Sequence, residues 1–368
     1  MAEITIEKNI LHPDHTSLLY QAKEGDTVLS KGRFQYIQTR FGDANIKTMT
    51  AGGLETPVHY RRGGNVRKIF EKAHFHAAED GVISAILHPF SFAYYQMFGY
   101  GKVADHLIVR CPIRMIDFVD RCNDLVPYTG TPEQLKDLLT IYNQFTKGRS
   151  LMRQRYDETY FKNNITYIYY EDGTPTGYIM FSTEKTFHIN HHENGLMTVY
   201  ETAYTTPEAL RAILGFIRMF EGELDDVEFA HLEVCPEIQL LLKHDTHTSY
   251  RRLPDMMARI INPKGLFLAQ QYPKQEGAFS IRIVDELSIG TGSFQVDYGN
   301  GEGVVKELSD TTDVDLTLSM PAFSRLVYGY DGIGAKEAQY MKDVSINGNA
   351  DDFFRAFPKR PVGAFEHF

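Results

Sequence analysis

Residues 59–70 read HYRRGGNVRKIF, two arginines and two glycines set directly before apolar residues at helical spacing. Glycine lets backbone approach a ligand closely and adopt positive φ. A helix start leaves N–H groups unsatisfied and carries partial positive charge, so it attracts anions. Arg61, Arg62 and Arg67 add guanidinium forks suited to phosphate oxygens. Together Arg61, Arg62, Gly63, Gly64, Asn65, Val66 and Arg67 make a turn fit to cradle a pyrophosphate. The stretch is neither a GxxxxGK[ST] phosphate loop nor a GxGxxG dinucleotide fingerprint. For the fragment by itself, a surface turn with solvated arginines is an equal alternative, because short Gly/Arg matches are common.

The surroundings are mixed α/β. Residues 1–30 are polar with weak periodicity, so no element is assigned to them. GRFQYIQTRF and ANIKTMTAGGLETPV, around a Gly-Asp turn at 42–43, read as an antiparallel hairpin. After the Arg/Gly turn, Val66, Ile69, Phe70, Ala73 and Ala77 predict an amphipathic helix from about Asn65 to Glu79. VISAILHPF then reads as a buried strand, SFAYYQMF as a short helix and KVADHLIVRC as another strand. The proline- and glycine-bearing stretch NDLVPYTGTP marks a boundary. Beyond it, PEQLKDLLTIYNQFTKG and TPEALRAILGFIRMFEGE predict helices on either side of a hairpin about EDGTPTG. No Arg-rich turn opens the second of these helices; Thr205, Thr206 and Pro207 only cap it. From Leu253 the texture becomes α+β: GLFLAQQYP, AFSIRIVDEL, GSFQVDYGNGEGVVKEL and DVDLTLSM are β-like, and PAFSRLVYGYDG and DDFFRAF helical. Three units result, 1–122, 123–252 and 253–368, the first two α/β and possible distant copies of one another.

Bulk properties narrow the function. At 368 residues the chain is too long for one compact core and long enough for two or three. A net charge of −10 argues against general nucleic-acid binding, which needs a broad basic surface, and is compatible with a cationic acceptor such as an amine. Cys111, Cys122 and Cys235 show no metal-ligand spacing, and an odd count suits a reduced compartment. No apolar run is long enough to span a membrane, and MAEITIEKNILHPDH lacks a leader pattern, so a cytoplasmic location is expected. His188, His191 and His192 have no carboxylate or cysteine to complete a recognisable metal site, and none is assigned.

A strand followed by R-R-x-G-x-x-R and an amphipathic helix resembles the pyrophosphate-binding segment of the GNAT acetyltransferases. HPFSFAYYQMFGYG at 88–101 and the terminal AFEHF narrow the resemblance to the Eis (enhanced intracellular survival) acetyltransferases, over essentially the whole chain. The resemblance implies two tandem GNAT-like mixed-sheet modules followed by a sterol-carrier-protein-like C-terminal domain, α/β plus α+β, with acetyl-CoA on the first module only. It implies that Leu54, Glu55 and Thr56 pair through backbone with the pantetheine arm, that Arg62 to Arg67 hold the pyrophosphate, and that Phe90 and Ser91 lie near the cofactor. Tyr95, four residues before Gly99, matches the general acid, and the carboxylate of Phe368 the general base. His88 matches a histidine beside the acceptor pocket, and Glu366 lies near that terminus. The acceptor is then a small amine or a lysine side chain, and the protein a homo-oligomer, commonly a hexamer.

Each role has a physical basis. A tyrosine, with a pKa of about 10, carries a proton at neutral pH that a departing thiolate can take. An α-carboxylate, with a pKa of about 3.5, is ionised and can accept a proton from an ammonium. Composition alone favours packing for Tyr95, one of 22 tyrosines, and a structural role for His88. Met256 and Met257 read as core, and Glu171-Asp172-Gly173 as a hairpin turn. Only some 50 residues precede Ala51, with poor helical signal, where the family opens with a strand and a helix pair. A trimmed first module leaves a second reading open, a non-catalytic acyl-CoA or lipid binding protein with an eroded GNAT domain.

Overall fold

In the computed structural model, residues 3–162, 164–187, 193–242 and 246–366 are described. The chain opens with a meander of four antiparallel strands, β1 (Glu3–His12), β2 (His15–Glu24), β3 (Thr27–Gly42) and β4 (Ala44–Glu55). The polar first thirty residues are therefore strands. In β2 the residues facing inward are Leu18, Tyr20 and Ala22, a period of two hidden among polar neighbours, while β1 is a solvated edge. Among the described residues, no helix pair precedes the Arg/Gly turn. Helix α1 (Asn65–Glu79) follows it and buries Ile69, Phe70, Ala73 and Ala77 against the meander, as its spacing predicts. Then come β5 (Ser84–Leu87), α2 (Phe92–Gln96) and β6 (Gly101–Pro112).

The second unit contains β7 (Val126–Pro127), α3 (Pro132–Phe145), β8 (Arg149–Arg153), β9 (Ile165–Glu171), β10 (Thr174–Phe187), β11 (Glu193–Tyr204), α4 (Pro207–Ile217), β12 (Asp226–Phe229), α5 (Pro236–Leu241) and β13 (Ser249–Ile260). All thirteen strands form one sheet in the order β1-β2-β3-β4-β5-β13-β6-β12-β11-β10-β9-β7, with β8 on β3. The two units exchange their last strands. β6, from the first, pairs with β12 of the second; β13, from the second, lies between β5 and β6. The expected boundary at 252/253 thus falls inside β13, whose Met256 and Met257 are buried core. The histidine-bearing stretch 188–192, expected to be a turn, lies outside the described residues.

Each unit has a pair of parallel strands that part to form a V. β4 and β5 pair from Thr48↔Ser84 to Thr50↔Ile86, and β4 then continues to Glu55. β11 and β12 pair from Leu196↔Asp226 to Val199↔Phe229, and β11 continues to Tyr204. A register shift marks both continuing strands just past the parting, near Gly53 (φ 56°) in β4 and at Tyr200 in β11.

The third unit is α+β: α6 (Pro263–Ala269), β14 (Gly277–Val284), β15 (Gly292–Gly299), β16 (Glu302–Leu308), β17 (Leu316–Ser319), α7 (Met320–Tyr328), α8 (Ala335–Ala338), β18 (Val344–Ile346) and α9 (Asp351–Ala356). Its sheet runs β16-β15-β14-β17-β18. GLFLAQQYP, expected to be extended, begins in helix α6, which ends at Ala269: Asn262 accepts from Gly265 N (2.8 Å) and Pro263 supplies the first helical position. The FGYG segment is the joint between units. Arg259, fully buried on β13, donates to both oxygens of Asp285 (2.9 and 2.7 Å) and to Phe98 O (2.6 Å). A Cβ on Gly99 would sit 2.0 Å from that guanidinium, and one on Gly101 2.0 Å from Pro321 O. Both positions require glycine, and α2 is fixed by this joint.

Candidate active site

The first V is open. From Ala51 to Glu55, β4 has a partner only on its β3 side, so the other edge of its backbone is available to an extended ligand. Leu54 and Thr56 face a cleft of about 620 Å³; Glu55 points the other way and pairs with Lys31 (2.9 Å). At the end of β4 the chain turns through Arg62 (φ 66°) and Gly64 (φ 74°) into α1. Holding a non-glycine residue in the left-handed region costs about 1 kcal/mol, a strain of the kind found at binding turns. Gly64 is the N-cap, no side chain caps the first turn, and a Cβ placed there would meet nothing within 4 Å. The first turn of α1 thus has no side-chain cap and lines the cleft beside three arginines. Arg61 Nε bonds Thr56 O (3.3 Å) and Arg67 pairs with Glu71 (3.0 Å), which positions both side chains at the rim.

The cleft is closed on its far side by Phe90, Tyr94, Met97 and Phe98. Phe90 is 76% exposed, an aromatic surface at the mouth of the cleft. Ser91 serves α2 as N-cap, accepting from Tyr94 N (3.4 Å). Tyr95 stands one ring behind the wall, 4% exposed, packed on Phe90 (centroids 5.4 Å apart) and Phe70 (5.9 Å). Burial, with Tyr94 beside it, pushes its hydroxyl up to about 12. Tyr94, which the sequence reading passed over, reaches the cleft itself. Burial raises its pKa too, and Arg67 opposes the shift. Its signal was present: Tyr94 and Met97 stand three apart on one face of a short helix.

His88 and Glu366 do not line this cleft. His88 directly follows β5, its Nδ1 2.9 Å from Asp255 Oδ1 on β13. Glu366, expected at the acceptor pocket, is bonded to Arg155 of the second unit (2.8 Å). Phe368 lies outside the described residues. Among the described residues, His106, His231 and Glu233 bring ligand atoms within 4.8 Å of one another. Both Glu233 oxygens are already engaged, by His231 Nδ1 (2.9 Å) and by Leu107 N (3.0 Å).

An open parallel V, a free strand edge and an uncapped helix start with arginines can hold an extended diphosphate-bearing ligand. Family models confirm what the V suggests: residues 5–103 and 148–260 each match an acetyltransferase (GNAT) domain. The chain belongs to the GNAT acetyltransferases. Its fold is Eis-like: Eis1 from Mycobacterium abscessus superposes with a TM-score of 0.76 at 14% identity, over 95% of this chain and 91% of that one. A GCN5-related N-acetyltransferase from Anabaena variabilis gives 0.80 at 16% identity, over 95% and 89%. A conserved protein of Enterococcus faecalis described as a probable N-acyltransferase gives 0.77 at 17%, over 96% and 89%. At these identities the likeness concerns fold. No curated protein matches the sequence. As a GNAT acetyltransferase the chain uses acetyl-CoA as co-substrate for transfer to an amine. No helix among the described residues is long and apolar enough to cross a membrane.

Proposed function

We propose that this GNAT acetyltransferase acetylates a primary amine, a small molecule or a lysine side chain, by direct attack, with acetyl-CoA bound in the first V alone. The observation that carries the reading is the convergence, in one cleft of about 620 Å³, of the free β4 edge, the uncapped α1 start and the Arg61–Arg67 turn. Backbone of Leu54, Glu55 and Thr56 would order the pantetheine arm, and Arg62, Gly63, Gly64, Asn65, Val66 and Arg67 the pyrophosphate, with Phe90 and Ser91 at the thioester side.

Tyr95 is assigned as general acid. Its raised pKa keeps the phenol protonated across the neutral range, the form from which a leaving thiolate would take a proton. The Phe368 carboxylate is assigned as general base, taking the proton that the attacking amine must lose. The anchored segment before it, in which Val362 and Ala364 are buried, supports a docked terminus. The C–N bond forms as the C–S bond breaks, and no covalent enzyme intermediate is needed. The same reading takes the third unit as sterol-carrier-like and the protein as a cytoplasmic homo-oligomer, a hexamer in this family.

An amine panel read by thiol release from acetyl-CoA tests the activity. Acetyl-CoA at a hundred times its Kd stabilises a specific site by about 2.7 kcal/mol. Turnover with no amine in the panel, together with no thermal shift, would overturn the proposal.

A further inference from the structure

The second V is filled by the chain's own end. Between the parted strands β11 and β12 lies the ring of Phe365, sharing a residual void of about 10 Å³ with residues 199–202 and 229–232. The ring stacks on Phe145 (centroids 6.2 Å apart) and meets His231 edge-on (5.6 Å). Before it, Ser150 N donates to Pro361 O (3.0 Å) and Gly363 N donates to Ser150 O (3.2 Å), a strand-like clasp on β8. After it, Arg155 Nε donates to Glu366 (2.8 Å) while the two terminal nitrogens of Arg155 hold Glu201 (2.6 and 2.7 Å). The Arg155 side chain is 2% exposed and lies 4.0 Å above the Tyr142 ring.

Two features make this more than tail packing. Glu201 is on the continuation of β11 past the parting, the stretch equivalent to Ala51–Glu55 of β4, so the tail is gripped where a pantetheine arm would lie in the first module. Glu201 alone neutralises Arg155 through two charge-assisted bonds, so the Glu366 bond is not required to satisfy a buried charge. It orders the tail. The strands that bound the two openings flank the exchanged pair: β5 lies against β13 and β12 against β6. Asp255, bonded to His88 beside the first opening, acts electrostatically on His231 beside the second.

We infer that the second module is a docking site whose ligand is the C-terminal segment, and that the Arg155–Glu366 pair is a positioning device for the chain end at the first V. The catalytic half of this inference rests on the assignment of the Phe368 carboxylate as base; the docking half does not.

The test uses Glu366→Gln in the full chain, which leaves Arg155 paired with Glu201. Hydrogen exchange of the segment 357–368 is expected to quicken about tenfold. With it kcat is expected to fall about tenfold while KM for acetyl-CoA stays within twofold, as for a base misplaced by a fraction of an ångström. Phe365→Ala, if it folds, is expected to do both more strongly. Exchange unchanged in Glu366→Gln would overturn the docking claim; faster exchange with unchanged kcat would overturn the positioning claim. Deleting Phe368 separates the two readings: if kcat survives that deletion the base assignment fails, while tail protection still decides the docking.

Discussion

The two V-shaped partings repeat one backbone plan with opposite outcomes. In the first, a cleft of about 620 Å³ runs along the end of β4, the helix that follows starts at a left-handed glycine without a side-chain cap, and arginines line the turn before it. In the second, the Thr206 hydroxyl accepts from Ala209 N (3.0 Å) and so satisfies the helix start from within, while Phe365 takes the space between strands. A cleft of about 520 Å³ remains at the end of β11 and the start of α4, but its Arg149 faces Glu237 (3.6 Å) and no glycine lines it. A fold copy is thus not a site copy. What makes the cofactor site is backbone left unpaired at one strand edge and one helix start; a hydroxyl and a phenyl ring are enough to remove it.

The comparison can be broken most decisively at Tyr95. Tyr95→Phe is expected to lower kcat by about 10²- to 10⁴-fold with little change in acetyl-CoA affinity. Steady-state kinetics showing equal loss of both would reassign Tyr95 to the Phe70–Phe90 packing. In the second module the largest effect is on stability. Arg155→Met strands Glu201 and Glu366 and is expected to cost about 3–5 kcal/mol in denaturant unfolding. Arg62→Ala, by contrast, should leave unfolding within about 0.5 kcal/mol.

Ligand binding sharpens the contrast. Arg62→Ala combined with Arg67→Ala is expected to weaken acetyl-CoA at least tenfold by calorimetry, each lost charged hydrogen bond being worth about 1.5–3 kcal/mol. Thr206→Ala should cost about 1 kcal/mol of stability through the lost cap and leave acetyl-CoA affinity untouched. The smallest effect is in pH. Tyr95 must be protonated to act, and burial raises its pKa above the ordinary 10 to about 12. The alkaline limb of kcat should therefore lie above about pH 10, and a limb near pH 9 would exclude it as the acid. The same shift contributes stability that is present below pH 10 and lost as pH rises toward 12.

Local signals made much of this legible. Helix α1 spans the residues its apolar spacing marks, and Asp172 (φ 48°) with Gly173 (φ 79°) forms the hairpin turn that its Asp-Gly pair announces. The Arg/Gly turn is visible because glycine, guanidinium and helix start are contiguous. What stayed hidden is what distance in sequence conceals. β1 hides because its side chains are solvated and show no alternation. The exchange of β6 and β13 depends on pairings between residues more than a hundred positions apart, for which no pattern within either strand gives notice. Arg155 and Glu366 are 211 residues apart, and RQRYDETY around the arginine reads only as a polar loop. FGYG shows the intermediate case: the motif was seen, but its purpose, room for Arg259 of β13 and Pro321 of α7, belongs to elements far along the chain.

The placement of β13 has a consequence during synthesis. β5 and β6 emerge from the ribosome about 150 residues ahead of the strand that must lie between them, so both wait with bare edges until Ile260 has been added. A nascent chain interrupted in the second module would carry the whole Arg/Gly turn on an unfinished sheet, and its first competent moment comes only after both GNAT segments have left the exit tunnel.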